Sequence, residues 1–168
     1  MSEAIASRFD AGLLVAGDAV APWLDARVGL DGCAPRTLVH GMDLRGRRTP
    51  AALRSLVRQR MTGMRVSLLA GSRIRRALAL AIVDDDAVQD RVCPGFAGAA
   101  ESMHRRLEMM RGRPLALAVM VVPASAPGAA VRRCIETGAP QLPDGAAVVT
   151  WDEADGWGLR AAVALQLV

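Results

Sequence analysis

The chain has 168 residues, a length typical of one domain, and a formal net charge of +4. All 21 basic residues are Arg, and Lys and Tyr are both absent. This composition excludes a lysine Schiff base, a lysine phosphate clamp and a tyrosine general acid. The three cysteines are widely separated and cannot all pair, which argues against a secreted disulfide framework. From the length we expect a single domain over residues 1–168.

Two features of the sequence bear on the compartment. The first ten residues lack the basic and apolar regions of a signal peptide. The longest apolar stretch, Leu115–Pro123, is too short to span a bilayer. We expect a cytoplasmic protein that does not insert into a membrane.

The first forty residues predict two strands and a helix. Leu13–Ala16 is an apolar run that ends at Gly17-Asp18, a combination typical of a strand and a turn. Trp23–Leu30 alternates imperfectly and ends at another glycine turn, so we expect a second strand that forms a hairpin with the first. Pro35 fits the first turn of a helix that runs to about Met42.

A longer helix is predicted next. Thr49 is a suitable N-cap and Pro50 a suitable first helical residue. We expect this helix to end at Gly63 and a strand to follow over Arg65–Ala70. One face of the helix is apolar, formed by Leu53, Leu56, Val57 and Met61.

The remaining elements complete an α/β pattern. Ile74–Val83 fits a strand or a helix, and Cys93-Pro94-Gly95 marks a break. The elements expected after it are a helix over Ala97–Met110, a buried strand over Leu115–Val122, a helix over Ala129–Thr137, and a closing hairpin formed by Ala146–Thr150 and Leu159–Leu167. This order predicts an α/β (α+β) fold, a two-layer mixed β-sheet with helices.

Positive charge is concentrated in one segment of the chain. Eleven Arg residues and a single acid, Asp43, lie between Arg36 and Arg76. Such a segment attracts an anionic partner, although a solvated Arg face is the plainer interpretation. Single-stranded nucleic acid is usually held by stacking aromatics, which this segment lacks, so the pattern argues against nucleic acid.

Glycines and aspartates punctuate the segment from Gly12 to Pro35. The residues of this pattern are Gly12, Leu14, Val15, Gly17, Asp18, Asp25, Gly29, Gly32, Ala34 and Pro35. The pattern resembles that of formaldehyde-activating enzymes, small proteins that condense formaldehyde with tetrahydromethanopterin. Trp23 stands where that family has a strand histidine, and the family's lysine has no counterpart here.

The resemblance implies both a fold and an activity. The fold would be ribosomal-protein-S5-domain-2-like, and the protein a homo-oligomer. The activity would be that of a carbon–nitrogen lyase-type enzyme in one-carbon metabolism, with formaldehyde and the pterin as small-molecule partners. Tetrahydromethanopterin would be a co-substrate rather than a bound cofactor.

The candidate catalytic residues follow from the chemistry of that condensation. Loss of water from the carbinolamine needs a general acid near the departing hydroxyl. The candidates are Asp18, Asp25 and His40, although Asp18 could simply make its turn and Asp25 could pair with an Arg. The candidate anion- and pterin-binding residues are Arg36, Arg54 and Arg58. No set of His, Cys and Glu has the spacing of a metal site, so we expect no metal.

Two other functions stay open at this point. The missing histidine and lysine favour a non-catalytic binding or assembly protein on the same scaffold. The third interpretation is an unrelated α/β protein that binds an anionic partner through its Arg-rich segment.

Overall fold

The fold is built on a five-stranded sheet in this computed structural model, which describes residues 13–18, 36–47 and 49–168. The strands lie in sequential order and all pair in parallel. They are β1 (Leu13–Gly17), β2 (Thr37–Asp43), β3 (Arg76–Val83), β4 (Ala116–Pro123) and β5 (Gly145–Thr150). The α/β class expected from the sequence is confirmed, and the described strands form a parallel sheet where a mixed one was expected.

Helices cover both faces of the sheet, which gives three layers where two were expected. The helices are α1 (Pro50–Ala70), α2 (Asp86–Arg111), α3 (Gly128–Gly138), α4 (Trp151–Trp157) and α5 (Leu159–Gln166), with a short 3₁₀ turn at Ala139–Gln141. One hydrophobic core joins the sheet to α1 and α2, and a second joins the opposite face to α3, α4 and α5. With both faces covered, every residue of β4 is buried, as its near-continuous apolar sequence requires.

The connection from β4 to β5 differs in hand from the two before it. The links β2–α1–β3 and β3–α2–β4 pass over one face, whereas α3 passes over the other. Each of these links joins a strand to its next parallel neighbour in the same direction. The β4–α3–β5 crossover therefore has the opposite hand, in a fold class where nearly all such crossovers are right-handed.

The helix predicted from Pro35 to Met42 is wrong, because these residues contribute to strand β2. Residues 37–42 are all buried between the two helical layers. A strand covered on both faces shows no alternation of polar and apolar residues, so its pattern cannot be distinguished from that of a helix.

The predicted end of α1 at Gly63 and the predicted strand Arg65–Ala70 are also wrong. The N-cap is confirmed, since the Thr49 hydroxyl accepts a hydrogen bond from the Ala52 N–H at 3.2 Å. Beyond Gly63 the helix continues because Met64 and Leu68 extend its buried stripe.

The break predicted at Cys93-Pro94-Gly95 lies inside α2. Val92, Phe96 and Ala100 are buried at helical spacing on either side of Pro94, and their packing outweighs the local helix-breaking residues. The predicted helix over Ala97–Met110 is confirmed as the second half of α2.

The closing hairpin is wrong in its second half. Ala146–Thr150 lies within β5 as predicted, but Thr150 and Glu153 form a capping box that begins α4. Residues 159–166 then form α5. The predicted strand Leu115–Val122 and helix Ala129–Thr137 are confirmed by β4 and α3, and the predicted strand Trp23–Leu30 lies outside the described residues.

None of the helices in the described part of the chain is both long enough and apolar enough to cross a membrane.

Candidate functional site

Two of the three predicted catalytic residues meet at the carboxyl ends of β1 and β2. Gly17 pairs with Gly41, which places Asp18 beside the end of β2. The Asp18 carboxylate accepts a hydrogen bond from the Asp43 N–H at 2.8 Å. Arg60 of α1 lies with its Nε 3.0 Å from Asp18 Oδ2. That Nε–H is not aligned for a hydrogen bond, so the contact is an ion pair.

His40 of β2 also belongs to this polar cluster. The residue is 4% exposed, and its Nδ1 has no hydrogen-bond partner among the described residues. The ring packs between two glycines, because a Cβ atom on Gly17 would lie 2.8 Å from its Nε2 and one on Gly63 would lie 3.8 Å away. Burial lowers the pKa of His40; the charge of Asp18 opposes this shift and that of Arg60 adds to it. A neutral imidazole at neutral pH can accept a proton.

The other predicted site residues do not join this cluster. Asp25 lies outside the described residues. Arg36 is exposed at the opposite end of β2, where its carbonyl accepts hydrogen bonds from the N–H groups of Arg75 and Arg76. Arg54 and Arg58 lie on the flank of α1 that faces α2. The predicted catalytic and anion-binding residues therefore occupy different places.

Asp43 and Arg60 belong to the cluster and were missed as site residues. Adjacent parallel strands end at the same edge of a sheet, so an acid at each strand end would have indicated their proximity. A helix predicted over Pro35–Met42 hides the strand end at Asp43. The position of Arg60 beside Asp18 depends on how α1 packs against β1, which the sequence does not indicate.

A groove of about 580 Å³ lies between α1 and α2 on the outer surface of the protein. Its floor is apolar, formed by Leu53, Val57 and Met61 of α1 together with Val92 and Met103 of α2. Small residues on α2 leave the groove open: Gly95, Ala99 and Ser102 follow one another along its wall. A Cβ atom on Gly95 would meet no atom within 4 Å.

Five arginines surround this α1–α2 groove, and none of the described residues that line it is acidic. They are Arg54, Arg58, Arg65, Arg91 and Arg106, all exposed. Within the described part of the chain none of the five forms an ion pair, whereas the neighbouring Arg105 lies 3.4 Å from Glu101. The groove therefore presents arginines without an ion-pair partner among the described residues, over an apolar floor.

The charges extend along the whole groove. Arg54 and Arg65 are eleven residues apart on α1, or about 16 Å at the helical rise per residue. Arg91 and Arg106 are fifteen residues apart on α2, or about 22 Å. Both walls carry positive charge near each end.

The described cysteines are free thiols outside any disulfide. Cys93 and Cys134 are both half-buried, and Cys33 lies outside the described residues. Burial raises the pKa of Cys93 to about 11, and the charges of Asp90 and Glu153 add to the effect. Its thiol is therefore protonated at neutral pH and a poor nucleophile.

The described residues contain no group of three or more His, Cys, Asp or Glu side chains arranged to hold a metal ion. No protein-family model matches the chain, and neither the curated proteins nor the solved structures compared with it gave a match.

Proposed function

We propose that this protein binds an anionic ligand with an apolar part in the α1–α2 groove. The observation that carries the proposal is the set of five arginines, unpaired among the described residues, around an apolar floor. Arg forms bidentate contacts with carboxylates, phosphates and sulfonates, and its planar group loses little hydration. Clustered charge of one sign also raises the local concentration of an oppositely charged ligand.

The composition of the lining favours an amphipathic ligand over a nucleic acid. Sites that bind single-stranded nucleic acid combine positive charge with stacking aromatics, and none of the described residues that line the groove is aromatic. The floor instead offers aliphatic side chains such as Val57 and Met103, which stabilise apolar groups that leave water.

Two fluorescent probes test this function. Anilinonaphthalene sulfonate is anionic, and phenylnaphthylamine is a related uncharged molecule. We expect the folded protein to bind the sulfonate more tightly, and added salt to weaken that binding because it screens exposed charges. Equal binding of both probes, or binding of neither, would contradict the proposal.

A matched pair of variants locates the binding. Arg106→Ala removes a charge from the groove, and Arg105→Ala removes one from the adjacent position, which does not line it. We expect Arg106→Ala to weaken sulfonate binding by roughly threefold to tenfold, the effect of losing about 0.7–1.4 kcal/mol of charge interaction. Arg105→Ala should leave the affinity within about twofold, and equal losses in both variants would place the probe elsewhere.

A second proposal retains one-carbon chemistry at the polar cluster. The observation that favours it is the convergence of Asp18 with His40, a buried imidazole with an unpartnered Nδ1. Asp18 could orient the carbinolamine, and His40 could accept the proton released by the reacting pterin amine and pass it to the hydroxyl that departs as water. Arg60 already neutralises Asp18, so this site would have to bind the pterin beside an existing ion pair.

The assay for this second proposal is direct. Formation of methylene-tetrahydromethanopterin from formaldehyde and tetrahydromethanopterin is followed against the uncatalysed rate. Acceleration that His40→Leu abolishes would support it. No acceleration, together with no pterin binding, would remove it.

A further inference from the structure

We infer that the ligand of the α1–α2 groove is an acidic amphipathic helix of a partner protein, an inference that rests on the proposed function. Recognition would follow the helix-in-groove mode, in which apolar anchors at i, i+3, i+4 and i+7 enter an apolar cleft. Acidic residues on both sides of that apolar stripe would face the arginines of the two walls.

The distribution of charge separates a helix from a small amphiphile. A single anionic head group needs one or two arginines at one end of an apolar pocket. Here Arg54 and Arg65 lie on one wall, with Arg91 and Arg106 on the other, so charge lines the groove from end to end. A ligand complementary to this pattern carries negative charge along its length on both flanks.

The dimensions of the groove also suit a helix. Anchors from i to i+7 span about 11 Å, which fits within the roughly 16 Å between Arg54 and Arg65. The α2 wall of the groove is lined by the small residues Gly95, Ala99 and Ser102, which allow the backbone of a bound helix to approach closely. A helix of about four turns would place acids opposite all of the arginines.

An exposed apolar residue follows the last groove arginine on each helix. Leu69 lies one turn after Arg65 on α1 and is 47% exposed. Met110 lies one turn after Arg106 on α2 and is 69% exposed. Residues one turn apart share a helix face, so these apolar side chains lie on the same faces as Arg65 and Arg106, toward the carboxyl ends of the two helices.

The test uses the full chain and a synthetic peptide of about four helical turns. The peptide carries Leu at i, i+3, i+4 and i+7 with Glu on both flanks, and binding is measured by fluorescence anisotropy. One control peptide has the same composition in an order that breaks the stripe, and another has Gln in place of Glu. We expect binding of the first peptide only, weakened by salt.

Two glycine variants of the protein provide the matched control. Gly95 lines the groove and Gly98 does not, although both lie in α2 and a Cβ atom on either would meet no atom within 4 Å. Gly95→Leu should fill the groove and weaken peptide binding by at least about tenfold. Gly98→Leu should leave it unchanged, and circular dichroism and thermal melts of both variants check that they fold.

The outcomes distinguish this inference from the proposed function. If the sulfonate probe binds and the acidic peptide does not, the groove takes a small amphiphile, and only the helix inference is wrong. If neither binds, both are wrong. Equal binding of the ordered and rearranged peptides, or equal loss in both glycine variants, would also overturn the inference. So would self-association abolished by Gly95→Leu, since a second copy would then occupy the groove.

Discussion

Arg111 joins the end of α2 to the end of α1, and its removal is the sharpest test of how the helical layer is held. Its guanidinium donates hydrogen bonds to the carbonyls of Ile74 at 2.9 Å and Gly71 at 3.1 Å, and also to that of Leu68. The Leu68 carbonyl belongs to the last turn of α1, and the Gly71 carbonyl belongs to its C-cap residue. Backbone acceptors at this end of a helix lack partners within the helix. Arg111 is half-buried, and this burial lowers its pKa; the charge of Arg113 adds to the shift.

The expected cost of Arg111→Ala follows from these contacts. A hydrogen bond to a charged group contributes about 1.5–3 kcal/mol, and a cation near a helix C-terminus about 0.3–1 kcal/mol. The side chain is only half-buried, and water can replace part of what is lost, so the sum must be discounted. We expect a decrease in the free energy of unfolding of roughly 2–4 kcal/mol, or a Tm lower by about 5–15 °C.

Urea unfolding followed by circular dichroism measures this change, with an unchanged slope as the sign that only stability has shifted. Arg111→Lys should recover less than half of the loss, because one ammonium group cannot reach three carbonyls. Arg105→Ala is the control, since its pair with Glu101 is exposed and should contribute less than about 1 kcal/mol. A loss below about 0.5 kcal/mol for Arg111→Ala would refute the assignment of this side chain as the link between α1 and α2.

Three further changes test separate parts of the structure. Gly17→Ala should cost at least about 2 kcal/mol more than Gly46→Ala: both have positive φ, but only at Gly17 would a Cβ atom lie 2.4 Å from a carbonyl oxygen, that of Gly41. Equal losses by denaturant titration would show that the contact relaxes freely. His40 should make stability fall as the pH drops below about 6.5, by up to about 1.4 kcal/mol per pH unit, because the unfolded chain takes up the proton before the folded one. His40→Leu should flatten this dependence, and an unchanged profile would assign it to other groups. Thr150→Ala should cost about 1 kcal/mol by removing the capping box of α4, and a thermal melt with no shift would contradict that role.

The fold class could be predicted because the strands are the apolar runs. Leu115–Val122 contains no charged residue and has the length of a typical strand, and β4 occupies nearly the same residues. The errors share one cause, which is that tertiary burial overrides local preference. Pro94 inside α2 is kept in a helix by the packing of Phe96, and residues 37–42 form a strand because neighbours cover them on both faces.

The candidate sites were predictable only in part. The sequence predicts Asp18 and His40 as candidates from separate segments, and the pairing of β1 with β2 brings them together. Arg54 and Arg58 were expected to bind anions and do line the groove, whereas the positions of Arg91 and Arg106 depend on how α2 packs beside α1. Such packing relates residues that are distant in sequence, and no periodicity within either helix encodes it.

The reversed hand of the β4–α3–β5 crossover has a consequence for how the chain is made. Of the described elements, those that cover the face formed by Val39, Leu80 and Met120 all follow Pro123 in the sequence. On the ribosome, the first four strands can form with α1 and α2 before these described elements have been synthesised. The helices α3, α4 and α5 lie after β4 in the sequence and then cover that face. A nascent chain synthesised only as far as Pro123 would therefore lack the described elements that cover this face, and exposed apolar surface of this kind is what chaperones bind.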